Sequence, residues 1–149
     1  MKYSDAHQFD SRPQSGRLLI IDDDDVLLSA LPWPIKRRMP SMNIDTADTP
    51  EEALRHVYSD DYDVILSDIR MPRMDGVTLL RKLRAIQPET PVILCTACGE
   101  EGLRREANAA GAFAFITKPL DPDFLAELLK KAMLQYRLNL QSTEVENHS

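Results

Sequence analysis

Four consecutive aspartates, Asp22 to Asp25, stand directly behind the apolar run RLLII (17–21). A fifth, Asp68, follows the run DVILS (63–67), Thr96 closes PVILCT (91–96), and Lys118 follows AFAFIT (112–117). If these runs are neighbouring strands, their polar ends meet at one place. Two carboxylates about 5 Å apart at an effective dielectric of about 20 repel by roughly 3 kcal/mol. Three of them therefore require a bound cation or a proton. Carboxylate oxygens with no His or Cys beside them select a hard ion, Mg2+ or Mn2+, over zinc. Magnesium keeps several waters and takes phosphate oxygens as further ligands, so such a site asks for a phosphoryl group. Lys118 supplies a second positive charge to hold that group, and Thr96 a hydroxyl donor. An aspartate between them can act as the nucleophile, giving an acyl phosphate.

The elements that must position these residues are legible in the apolar pattern. Five short runs, RLLII, MNIDTA (42–47), DVILS, PVILCT and AFAFIT, suit strands buried on both faces. Helical patterns separate them. In TPEEALRHVYS, Thr49 is the expected N-cap, Pro50 takes the first helical position and acids follow in the first turn. In GVTLLRKLRAIQP, Val77, Leu80, Leu83 and Ile86 share a face and Pro88 ends the helix. EEGLRREANAAGA ends at Gly111, a left-handed cap. In the last helix Leu125, Leu128, Leu129, Ala132, Met133 and Tyr136 form one stripe. The first helical segment carries Pro32, Pro34 and Pro40. An interior proline costs about 3 kcal/mol, so a break near Pro32–Pro34 is expected, with Trp33 partly buried. Strands alternating with helices give an α/β, doubly wound, five-stranded parallel sheet with strand order 2-1-3-4-5 and helices on both faces (a flavodoxin-like fold). Ligand crevices in such sheets lie at the carboxyl ends of the strands, where Asp22, Asp23, Asp68, Thr96 and Lys118 fall.

Composition narrows the function classes. A chain of 149 residues supports one core. A net charge of −6 argues against direct nucleic-acid binding. No apolar run reaches the roughly 18 residues of a membrane span, and no signal-peptide core opens the chain, so a cytoplasmic protein without membrane insertion is expected. Two cysteines, Cys95 and Cys98, are too few for a disulfide framework, and His7, His56 and His148 are too scattered for zinc. Residues 1–16 read as a disordered arm and 139–149 as a polar C-terminal tail.

Four stretches, IIDD (20–23), DVILSDIRMPRMDG (63–76), ILCTA (93–97) and FITKP (115–119), together resemble the receiver domain of two-component response regulators. The resemblance spans about residues 17–136, and the long third-strand motif, with Met71-Pro72 and Asp75-Gly76 after Asp68, is its most specific part. It implies a receiver domain over 17–138, of the stand-alone, chemotaxis-regulator-like kind, or else the receiver fragment of a larger transcriptional or enzymatic regulator. It implies a phosphoprotein of signal transduction, not an enzyme with a separate substrate. Asp68 becomes the phosphoacceptor, served by a sensor histidine kinase or a histidine phosphotransfer protein. Asp23 becomes the direct Mg2+ ligand, Asp22 one acting mostly through water, and the backbone carbonyl of Arg70 the third protein ligand. Thr96 and the adjoining Ala97 match the phosphoryl-binding switch position, Phe115 the switch aromatic that turns inward, and Lys118 the phosphoryl partner. The Lys118–Pro119 bond is expected to be cis. Phosphorylation would then shift the face built from the fourth helix, fifth strand and fifth helix toward binding a downstream protein, with a homodimer as a further outcome. Arg70 and Cys98, each two residues past a key position, are candidates for tuning the lifetime of the acyl phosphate. Asp24 and Asp25 fall one step too late for the ion and are expected to cap the first helix.

Three other readings fit parts of the chain. LLIIDDDDV matches the haloacid-dehalogenase phosphatase motif, with Asp22 as nucleophile and Asp24 as acid/base, but leaves SDIRMPRMDG without a job. A flavodoxin-like cofactor site would need a phosphate cradle where four aspartates stand. Cys95-Thr-Ala-Cys98 has thioredoxin-type spacing, but Cys95 should point into the fold.

Overall fold

The computed structural model describes residues 16–97, 99 and 101–148; the expected N-terminal arm, apart from Gly16, lies outside them, as do Cys98 and Ser149. The elements run β1 (Gly16–Ile21), α1 (Asp25–Ala30), α2 (Pro32–Arg38), β2 (Met42–Ala47), α3 (Pro50–Ser59), β3 (Val64–Asp68), α4 (Gly76–Ile86), β4 (Val92–Thr96), α5 (Glu101–Ala109), β5 (Ala114–Thr117) and α6 (Pro122–His148). The five strands form one sheet in the order β2-β1-β3-β4-β5, and every pair is parallel.

The continuous apolar runs follow from burial on both sides. Leu19, Ile21, Ile65 and Leu94 face a core with Val57 of α3, Leu80 and Leu83 of α4 and Ala107 of α5. Their strand neighbours Leu18, Ile20, Leu66 and Ile93 face a second core with Ile35 of α2 and Leu125, Leu129 and Met133 of α6. Alternate residues of one strand thus serve opposite layers, each buried Leu or Ile contributing about 1.5–3 kcal/mol.

The helix ends are set by capping residues. Thr49, as expected, caps α3 by accepting from the Glu52 amide at 3.1 Å. Asp75, not among the expected caps, caps α4 by accepting from the Thr78 amide at 2.9 Å. Gly111 lies at φ 95°, in the left-handed region, and closes the turn after α5. The first helical segment divides at Leu31, as its prolines require. Pro32 and Pro34 fall in the first turn of α2, where amide hydrogens lack helical acceptors anyway.

One expectation is corrected. Trp33 is not partly buried: it is 66% exposed. Leu31 and Ile35, four residues apart, fill the stripe facing the sheet, and Trp33 lies off that stripe with the Arg37 guanidinium 5.0 Å from its ring. Residues 139–148, expected as a polar tail, continue α6. The Asn139 side chain donates to the Glu89 carbonyl at 2.9 Å and the Thr143 hydroxyl to Glu89 Oε2 at 3.4 Å, which ties this extension to the turn before β4. No helix among the described residues is long and apolar enough to cross a membrane.

Candidate functional site

β1, β3, β4 and β5 end side by side, and the register pairs Asp68 with Cys95 and Thr96 with Thr117. The sheet's carboxyl edge therefore carries Asp22 and Asp23 after β1, Asp68 at the end of β3, Thr96 at the end of β4, and Lys118 after β5. Carboxylate oxygens of Asp22, Asp23 and Asp68 lie within 4.8 Å of one another. Asp22 and Asp68 are buried and Asp23 is exposed.

The run of four aspartates is split by geometry. Asp22 turns inward: one carboxylate oxygen accepts from the Asp24 amide at 2.9 Å, and the other from Lys118 Nζ at 2.8 Å. Asp23 faces solvent beside it. Asp24 caps α1, its side chain accepting from the amides of Val26 and Leu27, and Asp25 occupies the first turn. The capping expectation for this pair is met, with Asp24 as the cap and Asp25 opposite the positive helix end.

Lys118 is the positive group of the cluster. Its ammonium sits 2.8 Å from Asp22 and 3.8 Å from Asp68. Burial pulls its pKa down, but the hydrogen bond to Asp22 and the charges of Asp68 and Asp22 outweigh this, and the net shift is upward. Burial and the neighbouring Asp22 charge push the Asp68 carboxyl above the usual carboxylate range, against the opposing pull of Lys118. Three carboxylates crowd a partly buried pocket in which Lys118 meets two of them, a setting that favours a bound cation. All the donors are oxygens, the set that suits a hard ion.

The loop from β3 to α4 shapes the mouth. Asp68 Oδ1 accepts from the Arg70 amide at 3.3 Å, and Arg70 is exposed. The Gly76 amide donates to the Ile69 carbonyl at 2.7 Å, and a Cβ on Gly76 would stand 2.4 Å from the Ile69 Cα. This close approach, which only glycine permits, folds the loop back on the strand end. Arg73 in this loop has φ 74°, the one non-glycine residue with positive φ among those described. Lys118–Pro119 is cis. Ala97 is exposed past Thr96, which is itself fully buried.

Phe115 lies inward, 6% exposed, in the core that contains Leu94 and Ala107. A contact the sequence gave no sign of covers it: the Arg104 guanidinium of α5 lies 4.8 Å from the ring centroid, and its Nη1 donates to the Phe115 carbonyl at 3.2 Å. Cys95 is buried on the opposite face, its thiol pushed up to about 12 by burial. That is the reverse of what a thioredoxin-type nucleophile needs.

A parallel sheet with a carboxylate triad, a lysine and a threonine at its carboxyl edge puts the chain in the class of doubly wound α/β domains with a candidate site at the strand ends. Within it, the sequence model described as the response regulator receiver domain matches residues 18–130, and the chain belongs to that family. It is 34% identical over 136 residues to the DNA-binding transcriptional regulator NtrC of Proteus hauseri, covering 90% of this chain and 28% of that one. It is 37% identical over 132 residues to the regulatory protein AtoC of Escherichia coli, covering 88% and 27%. The chain thus spans little more than a quarter of the length of these curated relatives. Among solved structures, a CheY-like response regulator receiver domain protein from Methanospirillum hungatei superposes with a TM-score of 0.77 at 28% identity, covering 83% of this chain and 97% of that one. The chain is a receiver domain of a two-component system, a signalling module and not a member of a catalytic enzyme family.

Proposed function

We propose that Asp68 accepts a phosphoryl group from a phosphohistidine on a sensor histidine kinase or histidine phosphotransfer protein, in a site that Mg2+ completes. The observation that carries this reading is the crowding at the sheet edge: oxygens of three carboxylates lie within 4.8 Å of one another, and Lys118 pairs with two of the three. Asp23, Asp68 and the Arg70 carbonyl would hold the ion, with Asp22 acting through water. Bound there, Mg2+ would neutralise charge on the phosphoryl oxygens. A carboxylate oxygen of Asp68 attacks phosphorus, the bond from phosphorus to the donor nitrogen breaks, and the nitrogen keeps the electron pair. Lys118, already between Asp22 and Asp68, pairs with a phosphoryl oxygen, and the Thr96 hydroxyl and Ala97 amide serve the others. Asp22 is a poor candidate for nucleophile, since one oxygen is held by an amide and the other by Lys118.

The acyl phosphate would favour the arrangement with Phe115 inward and Thr96 drawn to the phosphoryl group, shifting the α5-β5-α6 face toward a downstream partner. Arg70 at the mouth is placed to affect how long the acyl phosphate survives. The similarity to NtrC and AtoC favours transcriptional control as the output, with the receiver working as part of a longer regulator. The test is labelling by a small phosphoramidate donor. Label is expected with Mg2+ and not after chelation; label that is indifferent to the metal contradicts the reading.

A further inference from the structure

Among the described residues, Arg104 gives both its ring contact and its side-chain hydrogen bond to one residue. Its guanidinium covers the ring of Phe115 at 4.8 Å and donates to the carbonyl of the same residue at 3.2 Å. Among the described residues it makes no ion pair, although it is half-buried. A partly desolvated guanidinium over an aromatic face is attracted by the ring quadrupole, and the bond to the carbonyl fixes where along β5 that attraction acts. Arg104 belongs to α5 and Phe115 to β5, so one side chain joins the two elements that carry the switching face. Phe115 is inward, 6% exposed, beneath that guanidinium.

We propose that Arg104 is a positioning residue that latches Phe115 inward and so biases the chain toward the arrangement that phosphorylation favours. The proposal rests on the reading of Phe115 as the switch aromatic. On this proposal the inward arrangement is the one that reacts, so the labelling rate scales with its population and whatever favours the inward ring speeds phosphorylation of Asp68.

The experiment compares the wild-type chain with Arg104→Ala, Arg104→Met and Arg104→Lys. The Phe115 ring is followed by NMR with carbon-labelled phenylalanine, assigned through Phe115→Leu. The initial rate of labelling by phosphoramidate with Mg2+ is measured in parallel. In Arg104→Ala and Arg104→Met the inward-to-outward ratio is expected to fall by about 3- to 10-fold, and the labelling rate with it. Arg104→Lys, which keeps a cation, is expected to recover part of both. An unmoved ring in Arg104→Ala overturns the latch. So does a wild-type ring position in Arg104→Met, which would reduce the contact to packing, and so does a displaced ring with an unchanged rate. A wild-type chain that takes no label at all overturns the phosphoacceptor reading and the bias with it. The ring measurement needs no phosphoryl group, so it tells that failure apart from failure of the latch.

Discussion

At the amino end of the sheet, Arg17 bridges Asp45 and Asp60 at 3.1 Å each and lies 5.1 Å from the centre of the Tyr62 ring. The Tyr62 hydroxyl donates to Asp45 at 2.5 Å and lies 3.3 Å from His56 Nδ1. Beneath it, Gln87 accepts from the Tyr62 amide and donates to the carbonyls of Val57 and Asp60, and Thr90 donates to the Tyr62 carbonyl. Every group there has found a partner within the fold. At the carboxyl end, three carboxylates crowd together and Lys118 meets two of them. One end spends polar side chains on closing the structure. The other crowds like charges at an open edge of the sheet, the pattern that marks a candidate site rather than a closed structural network.

The contrast predicts opposite responses to substitution. Asp23→Ala at the carboxyl edge should lower Mg2+-dependent labelling by about 100-fold or more, while thermal stability stays level or rises because a like charge is removed. A loss of stability in step with labelling would break the distinction. Tyr62→Phe at the amino edge should do the reverse, costing about 1 kcal/mol in a denaturant titration with labelling unchanged. Asp24→Ala, which removes a helix cap but no site ligand, should likewise cost about 1 kcal/mol and leave labelling near wild type.

The smallest expected effect depends on pH. Burial raises the Asp63 carboxyl at the start of β3, although its oxygen accepts from the Arg17 amide and Arg137 and Arg17 pull the other way. Its folded-state pKa therefore lies above the unfolded one, so folding favours the proton and stability falls as pH rises through that interval. Asp63→Asn keeps an acceptor and has no charge to bury. It should match the wild type below the ordinary carboxylate range and exceed it above, as read from melting curves over pH. A gap that widens toward low pH would contradict the burial account.

The strands were legible because strands buried on both faces read as unbroken apolar runs. Their order was legible from the likeness to other small doubly wound domains. The carboxylates and Lys118 were legible because the polar residues that end the runs converge when the runs are neighbours. Trp33 was misread because its apolar character says nothing of which side of a short helix it takes, and Leu31 and Ile35 had the better claim to the buried stripe. The helical extension past residue 138 was hidden because polar residues hold it, through Asn139 and Thr143 to Glu89, and such contacts have no sequence period. The Arg104–Phe115 contact and the Tyr62 network were illegible for the same reason: both are nonlocal and join residues by geometry alone.

The central claim is that Asp68 takes the phosphoryl group and that Asp22, inward and bound to Lys118, does not. The most direct measurement is to label the chain with phosphoramidate and Mg2+, reduce the acyl phosphate with borohydride, and locate the modified aspartate by peptide mass spectrometry in the wild type, Asp68→Ala and Asp22→Ala. Modification at Asp68, absent from Asp68→Ala and weakened but present in Asp22→Ala, is the predicted result. Label that survives Asp68→Ala and disappears in Asp22→Ala would contradict the account and favour a phosphatase-type nucleophile at the end of β1.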